Sequence, residues 1–531
     1  MASTNNNGAA EVARQGVNPW IIAMTVTLAT FMEVLDSSIA NIALPHISGN
    51  LGASTEEGTW VLTSYLVSSA IVLPLSGWLT TVVGRKRFYM TCVAIFTISS
   101  VMCGLATSLP MLIFFRVLQG AGGGGLQPSE QAILADTFSE KQRGMAFAMY
   151  GVAVIVAPAI GPTVGGWITD NYSWHWIFFI NAPIGALSLF LTHRIVHDPP
   201  WLKNLKRSSI RPDYVGIGLI VVGIGFLQYV LDKGQEDDWF GSHVITIFFI
   251  IAAIALTFLI IREWTHDDPI MDLRLLKNRN FATSILFSFV LGFVLNGSTI
   301  LIPQFLQNEL GYTAERAGLA LMPGGLTLML LMPVAAIAGS KFDRRWVMAF
   351  GFIMTAIGLH HLTVVYLGIS FRTMLWLRVI QVIGLPFIFV NITTLNYVGV
   401  PPEKHNQVSG LSNFSRNIGG AIGISILNTF MARQQQTQRV NMTAHSNHAN
   451  PFFQQQLAAL TSNFMSMGFN RLTAGHKALA QLSEIVSQQA RVVGYVNAFW
   501  VMSMLVAVLA PIVFLLRKPS KAEEAAAAGA H

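Results

Sequence analysis

Fourteen long apolar runs govern what this chain can become. They lie at 19–44, 59–81, 87–107, 110–135, 143–168, 175–196, 214–232, 243–262, 281–306, 314–340, 346–369, 372–398, 406–431 and 493–516. About 20 apolar residues carry a helix across a hydrocarbon core roughly 30 Å thick, because lipid offers a backbone amide no partner outside its own helix. Charged residues are only 11% of the 531 positions, against roughly 25% in soluble domains. A water-soluble chain of this length could not cover its surface with so few. The expected fold is an all-α polytopic membrane protein. The net charge of +7 has no basic domain behind it, so the expected partner is the lipid bilayer and not nucleic acid. Two cysteines in one run, Cys92 and Cys103, supply neither a disulfide framework nor a zinc site.

Basic residues set the orientation. One set of alternating loops holds 22 Lys and Arg, while the short loops of the other set hold only Lys233, Arg316 and Arg372. The excess marks the cytoplasm. Residues 1–18 and 517–531 then read as cytoplasmic tails, and the first run as an uncleaved helix.

An internal repeat divides the chain. Arg116-Val117-Leu118-Gln119 returns as Arg378-Val379-Ile380-Gln381, and Ala159-Ile160-Gly161 as Ala421-Ile422-Gly423, both at an offset of 262. Gly77 before Arg85-Lys86-Arg87 matches Gly339 before Lys341, Arg344 and Arg345 at the same offset. The expected architecture is a six-helix bundle over 19–196, a linker with two extra spans over 197–280, and a second bundle over 281–516. The second bundle carries an extra external segment, 432–492, expected to be partly amphipathic helix. Two parallel six-helix halves form a transporter architecture, with the site between them near the midplane.

Six ionisable residues fall inside the runs: Glu33, Asp36, Arg116, Glu130, Arg378 and Arg416. Each costs about 2.5–3.5 kcal/mol or more at a helix centre, so each must face a cavity or a partner. At ~1.5 Å per residue, Asp36 lies ~13 Å inside Pro45 and Arg116 ~9 Å inside Pro110, which are compatible depths. Glu33 is one turn from Asp36 on the same face. An acid there, hydrated alternately from each side, can carry a proton across. Arg378 reads as an echo of Arg116; Arg416 reads as an ion-pair partner or a gating residue.

The chain resembles the major facilitator superfamily, and more narrowly its fourteen-helix drug:proton antiporters of the EmrB/QacA type. The resemblance rests on Leu35-Asp36-Ser37-Ser38-Ile39-Ala40-Asn41 in the first run and Arg116-Val117-Leu118-Gln119-Gly120 in the fourth. It extends to Trp174-His175-Trp176, Asn181-Ala182-Pro183 and Gly410-Leu411-Ser412-Asn413. Pro158, Gly161, Pro162, Gly165 and Gly166 are similar to the antiporter motif of the fifth helix, where glycines allow close approach and prolines bend the span. Gly77, Gly84, Arg85 and Lys86 resemble the cytoplasmic gating loop, but Thr81 stands where that pattern has an acid. The charge latch is therefore expected to be incomplete.

The resemblance implies proton-coupled export of hydrophobic or amphipathic toxic compounds across a bacterial inner membrane, driven by the proton motive force without a cofactor. It implies coupling through Asp36, Arg116 and Glu33. It also implies a periplasmic adaptor (a membrane fusion protein) and, through it, an outer-membrane channel. The substrate cavity is expected to be apolar, lined by Phe, Met and Trp, with Phe31, Asn41, Gln119, Glu130, Gln131, Asn296 and Asn391 as candidate lining residues. Exporters of an endogenous lipid, fatty acid or siderophore would share this mechanism. A non-transporting scaffold is the rival from another class. No nucleophile triad or His-Glu-x-x-His pattern points to an enzyme.

Overall fold

The computed structural model describes residues 18–199, 213–444 and 450–516. Both predicted tails (Asn18 apart) and residues 200–212 of the linker lie outside the described residues. The first half runs through α1 (Pro19–Asn50), α2 (Thr55–Val83), α3 (Arg85–Gly104), α4 (Leu109–Gly123), α5 (Leu126–Thr137), α6 (Glu140–Asn171), the short α7 (Trp176–Phe179) and α8 (Asn181–Ile195). Two further helices follow, α9 (Tyr214–Lys233) and α10 (His243–Thr265). The second half holds α11 (Arg279–Asn308), α12 (Ala314–Lys341), α13 (Arg344–His361), α14 (Phe371–Val382), α15 (Leu385–Leu395), α16 (His405–Ala444), α17 (Pro451–Ser466) and α18 (Arg471–Ile512).

Local chemistry sets these boundaries. Asn18 accepts the Trp20 amide at 3.0 Å with Pro19 opening α1, and Ser54 and Glu57 form a reciprocal capping box on α2. The fourth run was expected as one helix but is two, as is the twelfth. Each break falls about one turn ahead of a proline, Pro128 or Pro386, which cannot donate to the carbonyl four residues back. Gly84 makes the tight turn between α2 and α3 at φ 100°, a conformation that suits glycine.

Thirteen helical stretches among the described residues are long and apolar enough to cross a membrane. The run at 406–431 falls outside that set because Asn406, Gln407, Asn413, Arg416 and Asn417 dilute its hydropathy. Its helix, α16, is nonetheless packed along α11 and α18. The repeat is visible in the packing. α1 lies on α6 as α11 lies on α16, and α2 on α4 as α12 on α14. The halves meet through α6 with α12 and through α2 with α16. The inserted pair α9–α10 leans on α2 and, at its loop, reaches α16, where Trp239 Nε1 donates to Thr429 Oγ1 at 3.0 Å. Its other end is closed by Arg262 on Asp213 at 2.7–3.0 Å, and this bonded guanidinium holds the Asp213 carboxyl below its usual range.

The described part of the segment 432–492 is mostly helical. α16 has 40 residues and α18 has 42, about 60 Å each at 1.5 Å per residue, twice a hydrocarbon core. They rise beyond the bundle, and α17 packs along α18 with Phe453, Leu457, Leu460 and Phe464 half-buried. Phe452, Met467 and Leu472 stay exposed, at 70%, 63% and 75%.

Candidate functional site

Asp36 and Arg116 meet, as their depths require. Arg116 Nη1 donates to Asp36 Oδ2 at 2.8 Å, and both side chains are 1% exposed. Gln119 Nε2 and Asn181 Nδ2 donate to Asp36 Oδ1 at 2.9 and 2.6 Å. Arg116 also reaches Gln119 Oε1 (2.8 Å) and the Val61 carbonyl (3.0 Å). A buried ion pair is tolerable only when its remaining donors and acceptors are filled in this way. Asn181 and Val61 were not foreseen as members: an amide or a backbone carbonyl within an apolar run gives no charge signal.

The acid that faces the central cavity is Glu33, one turn from Asp36. Tyr65 Oη donates to Glu33 Oε1 at 3.0 Å, and Gln127 Nε2 donates to Oε2 at 3.0 Å. The Tyr65 ring lies 4.3 Å from the Arg116 guanidinium carbon, a cation–π contact. Gln127 Oε1 accepts from Tyr150 Oη (3.0 Å) and from Arg416 Nη2 (2.8 Å). Arg416 belongs to the second half. Beside it, Gln131 and Asn413 exchange amide bonds of 3.2 and 2.9 Å across the same junction. A continuous polar chain therefore runs from the buried pair to contacts that join the halves.

The cavity, about 270 Å³, is lined from both halves. Glu33, Gln127, Asn296, Arg378 and Arg416 contribute to it, with Val34, Leu66, Leu295, Leu321 and Leu328. Of the seven expected lining residues, only Asn296 lies there. Phe31 packs against a smaller apolar cluster of the first half and Asn41 is exposed. Gln119 is spent on the ion pair and Gln131 on the junction. Asn391 donates to its own helix at Phe387 O (2.8 Å). Glu130 faces away, accepting from Thr27 at 2.6 Å. The expected Phe, Met and Trp lining is also corrected, since none of these residues is among its walls. A helix face that is apolar in sequence goes to lipid or to a neighbouring helix as readily as to a cavity, and the large aromatics are split between the outer surface and the packed core.

In the antiporter motif, a Cβ on Gly161 would come within 2.6 Å of Ser38 Cβ, and one on Gly165 within 2.9 Å of Ile39 Cγ2. These two glycines make the α1–α6 seam. Gly166 has nothing within 4 Å and takes no part in it. Pro158 lines the cavity, and Pro162 packs on α12 at Gly318.

At the far end, the gating loop is fastened by residues the sequence did not single out. Arg85 Nη1 donates to Asp136 Oδ2 at 2.6 Å, and Asp136 Oδ1 bonds His405 Nδ1 at 2.5 Å, crossing from the first half to the second. Thr81 only caps back to Gly77 O (3.1 Å). Gly77 lets α16 approach, with Asn406 O 3.0 Å from where a Cβ would stand. Lys86 ties to His193 O (2.7 Å), and its amide to Asp198 (2.8 Å). An ion pair does stand at this end, but its acid comes from α5 and its cross-half partner is a histidine.

The sequence pattern of the Major Facilitator Superfamily matches residues 26–424. The chain is 38% identical over 506 residues to "Multidrug export protein EmrB" of Escherichia coli K12, covering 95% of this chain and 96% of that one. It is 35% identical over 500 residues to "Fatty acid resistance protein FarB" of Neisseria gonorrhoeae, covering 94% and 96%. A solved structure of the proton:xylose symporter XylE superposes with a TM-score of 0.59 at 14% identity, covering 92% and 94%, a likeness of fold. With its matched span, its paired halves and these relatives, the chain belongs to the major facilitator superfamily, and within it to the EmrB-type multidrug transporters.

Proposed function

We propose that the chain is a proton-driven exporter of hydrophobic or amphipathic toxic compounds in a bacterial inner membrane. In this reading the Arg85 end and both termini lie in the cytoplasm, residues 19–196 and 281–516 are the moving bodies, and 197–280 is an insert. The observation that carries it is the polar chain from Asp36–Arg116 through Tyr65, Glu33 and Gln127 to Arg416. A proton reaching Glu33 removes the acceptor charge that Tyr65 and Gln127 hold in place, and one on Asp36 releases Arg116. Either change loosens the Gln127–Arg416 junction and so links protonation to the opening of one end. No bond of the substrate changes, and the drive is the proton motive force, about 2.3 kcal/mol per 100 mV for each proton entering. A second reading, export of an endogenous fatty acid or lipid, is supported by the name of the gonococcal relative.

In proteoliposomes with the Arg85 end outward, an acid lumen should drive dye accumulation inside, and an uncoupler should abolish it. Accumulation that ignores lumen pH rejects the proposal. A susceptibility panel in a pump-deleted host would supply the substrates.

The long ends of α16 and α18, with α17, are proposed to dock a periplasmic adaptor that leads to an outer-membrane channel. Exposed Phe452, Met467 and Leu472 support this, since such side chains stand clear of both core and lipid. Replacing residues 435–489 with a short linker should abolish resistance in cells and leave transport in proteoliposomes. Loss of both activities would reject docking as the segment's only task.

A further inference from the structure

The 262-residue offset carries one more correspondence. Asp36, Arg116 and Gln119 map onto Ser298, Arg378 and Gln381. The second half rebuilds the same triad in space. Arg378 Nη1 donates to Gln381 Oε1 (2.5 Å) and to Ser298 Oγ (3.4 Å), and Gln381 Nε2 donates to Ser298 Oγ (3.4 Å). In the first half Arg116 Nη1 donates to Gln119 Oε1 (2.8 Å) and Gln119 Nε2 to Asp36 (2.9 Å). At the first position of the triad the acceptor differs, a hydroxyl where the other half has a carboxylate.

That change leaves a buried cation without an anion. Arg378 is 6% exposed, forms no ion pair among the described residues, and has an Nε with no hydrogen-bond partner. A charge in such a place demands a counter-charge. Arg378 also lines the central cavity, which a second arginine, Arg416, enters; among the described residues its hydrogen-bond partners are the neutral Gln127, Tyr150 and Asn413. Two guanidinium groups thus share walls with a single carboxylate, Glu33. Leu295, Leu321 and Leu328 supply apolar surface beside them.

We propose that Arg378 binds the acidic head group, carboxylate or phosphate, of an amphipathic substrate whose apolar body lies against Leu295, Leu321 and Leu328. The duplicated triad would then have two uses. In the first half the acid is built in and takes the proton; in the second the acid arrives with the cargo. This rests on the reading of the cavity as the substrate site and narrows the class of compound exported. It also changes the electrical balance, because an anion leaving adds one inward positive charge to each cycle compared with a neutral substrate.

The test is binding, which needs no gradient. Naphthoate and its uncharged amide, naphthamide, share a body and differ in charge. Calorimetry in phosphatidylcholine nanodiscs should find naphthoate the tighter ligand of the full chain. Arg378→Gln should lower the naphthoate-to-naphthamide affinity ratio about ten- to a hundredfold, the range for hydrogen bonds to a charged group. Ser298→Asp should do the same by restoring the internal ion pair, and should melt no lower than the unaltered protein, which separates loss of the site from loss of the fold. Arg378→Lys should keep part of the ratio. Equal binding of the two compounds, binding of neither, or a ratio untouched by Ser298→Asp would overturn the assignment. Repeating the titration with phosphatidylglycerol separates the sources: displacement of naphthoate assigns the site to a lipid phosphate, and retention assigns it to a soluble acid. If the ratio behaves as expected while gradient-driven efflux fails in the unaltered protein, the export reading falls and this site stands.

Discussion

Asp36→Asn should reduce gradient-driven efflux to the level of passive leak. The amide nearly matches the carboxylate in shape, so the change isolates charge. It also leaves Arg116 buried at 1% side-chain exposure without its anion, which by analogy with other broken buried pairs costs about 3–5 kcal/mol. Two effects are therefore expected together, a lower melting temperature and a loss of coupling. They separate in the double variant Asp36→Asn/Arg116→Gln, which removes both charges. Stability should largely return there, because neutralising the whole pair leaves no lone ion. Coupling should not return, because no acid remains at that position to hold the proton. The measurement is lumen-acid-driven accumulation in proteoliposomes beside a thermal melt of the same preparation. Uphill transport by either variant would show that the proton is carried elsewhere, with cavity-lining Glu33 the first residue to test by Glu33→Gln.

The fold was readable because a membrane makes every charge and every break conspicuous. Asp36 and Arg116 could be paired from depth alone, since each had to find a partner inside the apolar layer. The duplication was readable from short words at one offset, and the same arithmetic reaches Ser298, whose hydroxyl raised no alarm because serine is ordinary in such helices. Neutral members of the network were hidden for a related reason. Asn181, Gln127 and Tyr65 do their work as amides and a phenol, and burial of such groups is decided by partners that only the folded bundle brings near. The cavity wall was misread in Phe31 and Asn41 because helical periodicity tells which residues share a face, not whether that face meets lipid, a neighbour or the cavity. Gly166 was misjudged on the same ground: two of three glycines face α1, and the third has open space. Asp136 and His405 sit at helix ends, where charged and polar residues are expected and so carry little information.

Those two residues support the second large effect. Asp136→Asn should shift the protein toward opening at the Arg85 end. The Asp136 carboxylate serves two masters, Arg85 in its own half at 2.6 Å and His405 across the junction at 2.5 Å. The Arg85 side chain is 3% exposed, so a guanidinium that has lost its carboxylate gains by reaching water, and parting of the halves is the motion that admits water. Loss of the cross-half bond alone, as in His405→Ala, removes about 1.5–3 kcal/mol, the range for a hydrogen bond to a charged group, and should shift the populations roughly ten- to hundredfold. Asp136→Asn removes more and should shift them further. Spin labels at Lys141→Cys on α6 and Lys341→Cys on α12 span the junction at that end, and both sites are exposed. The two native cysteines are buried and should not label. Electron–electron resonance should show the longer distance gaining population in the order unaltered, His405→Ala, Asp136→Asn. Replacing the ion pair by Arg85→Leu/Asp136→Leu removes the lone charge while still breaking the histidine bond, so its distribution should resemble that of His405→Ala. A distribution that is the same in all four proteins would mean the halves are held elsewhere, with the Gln131–Asn413 amide exchange the next contact to cut.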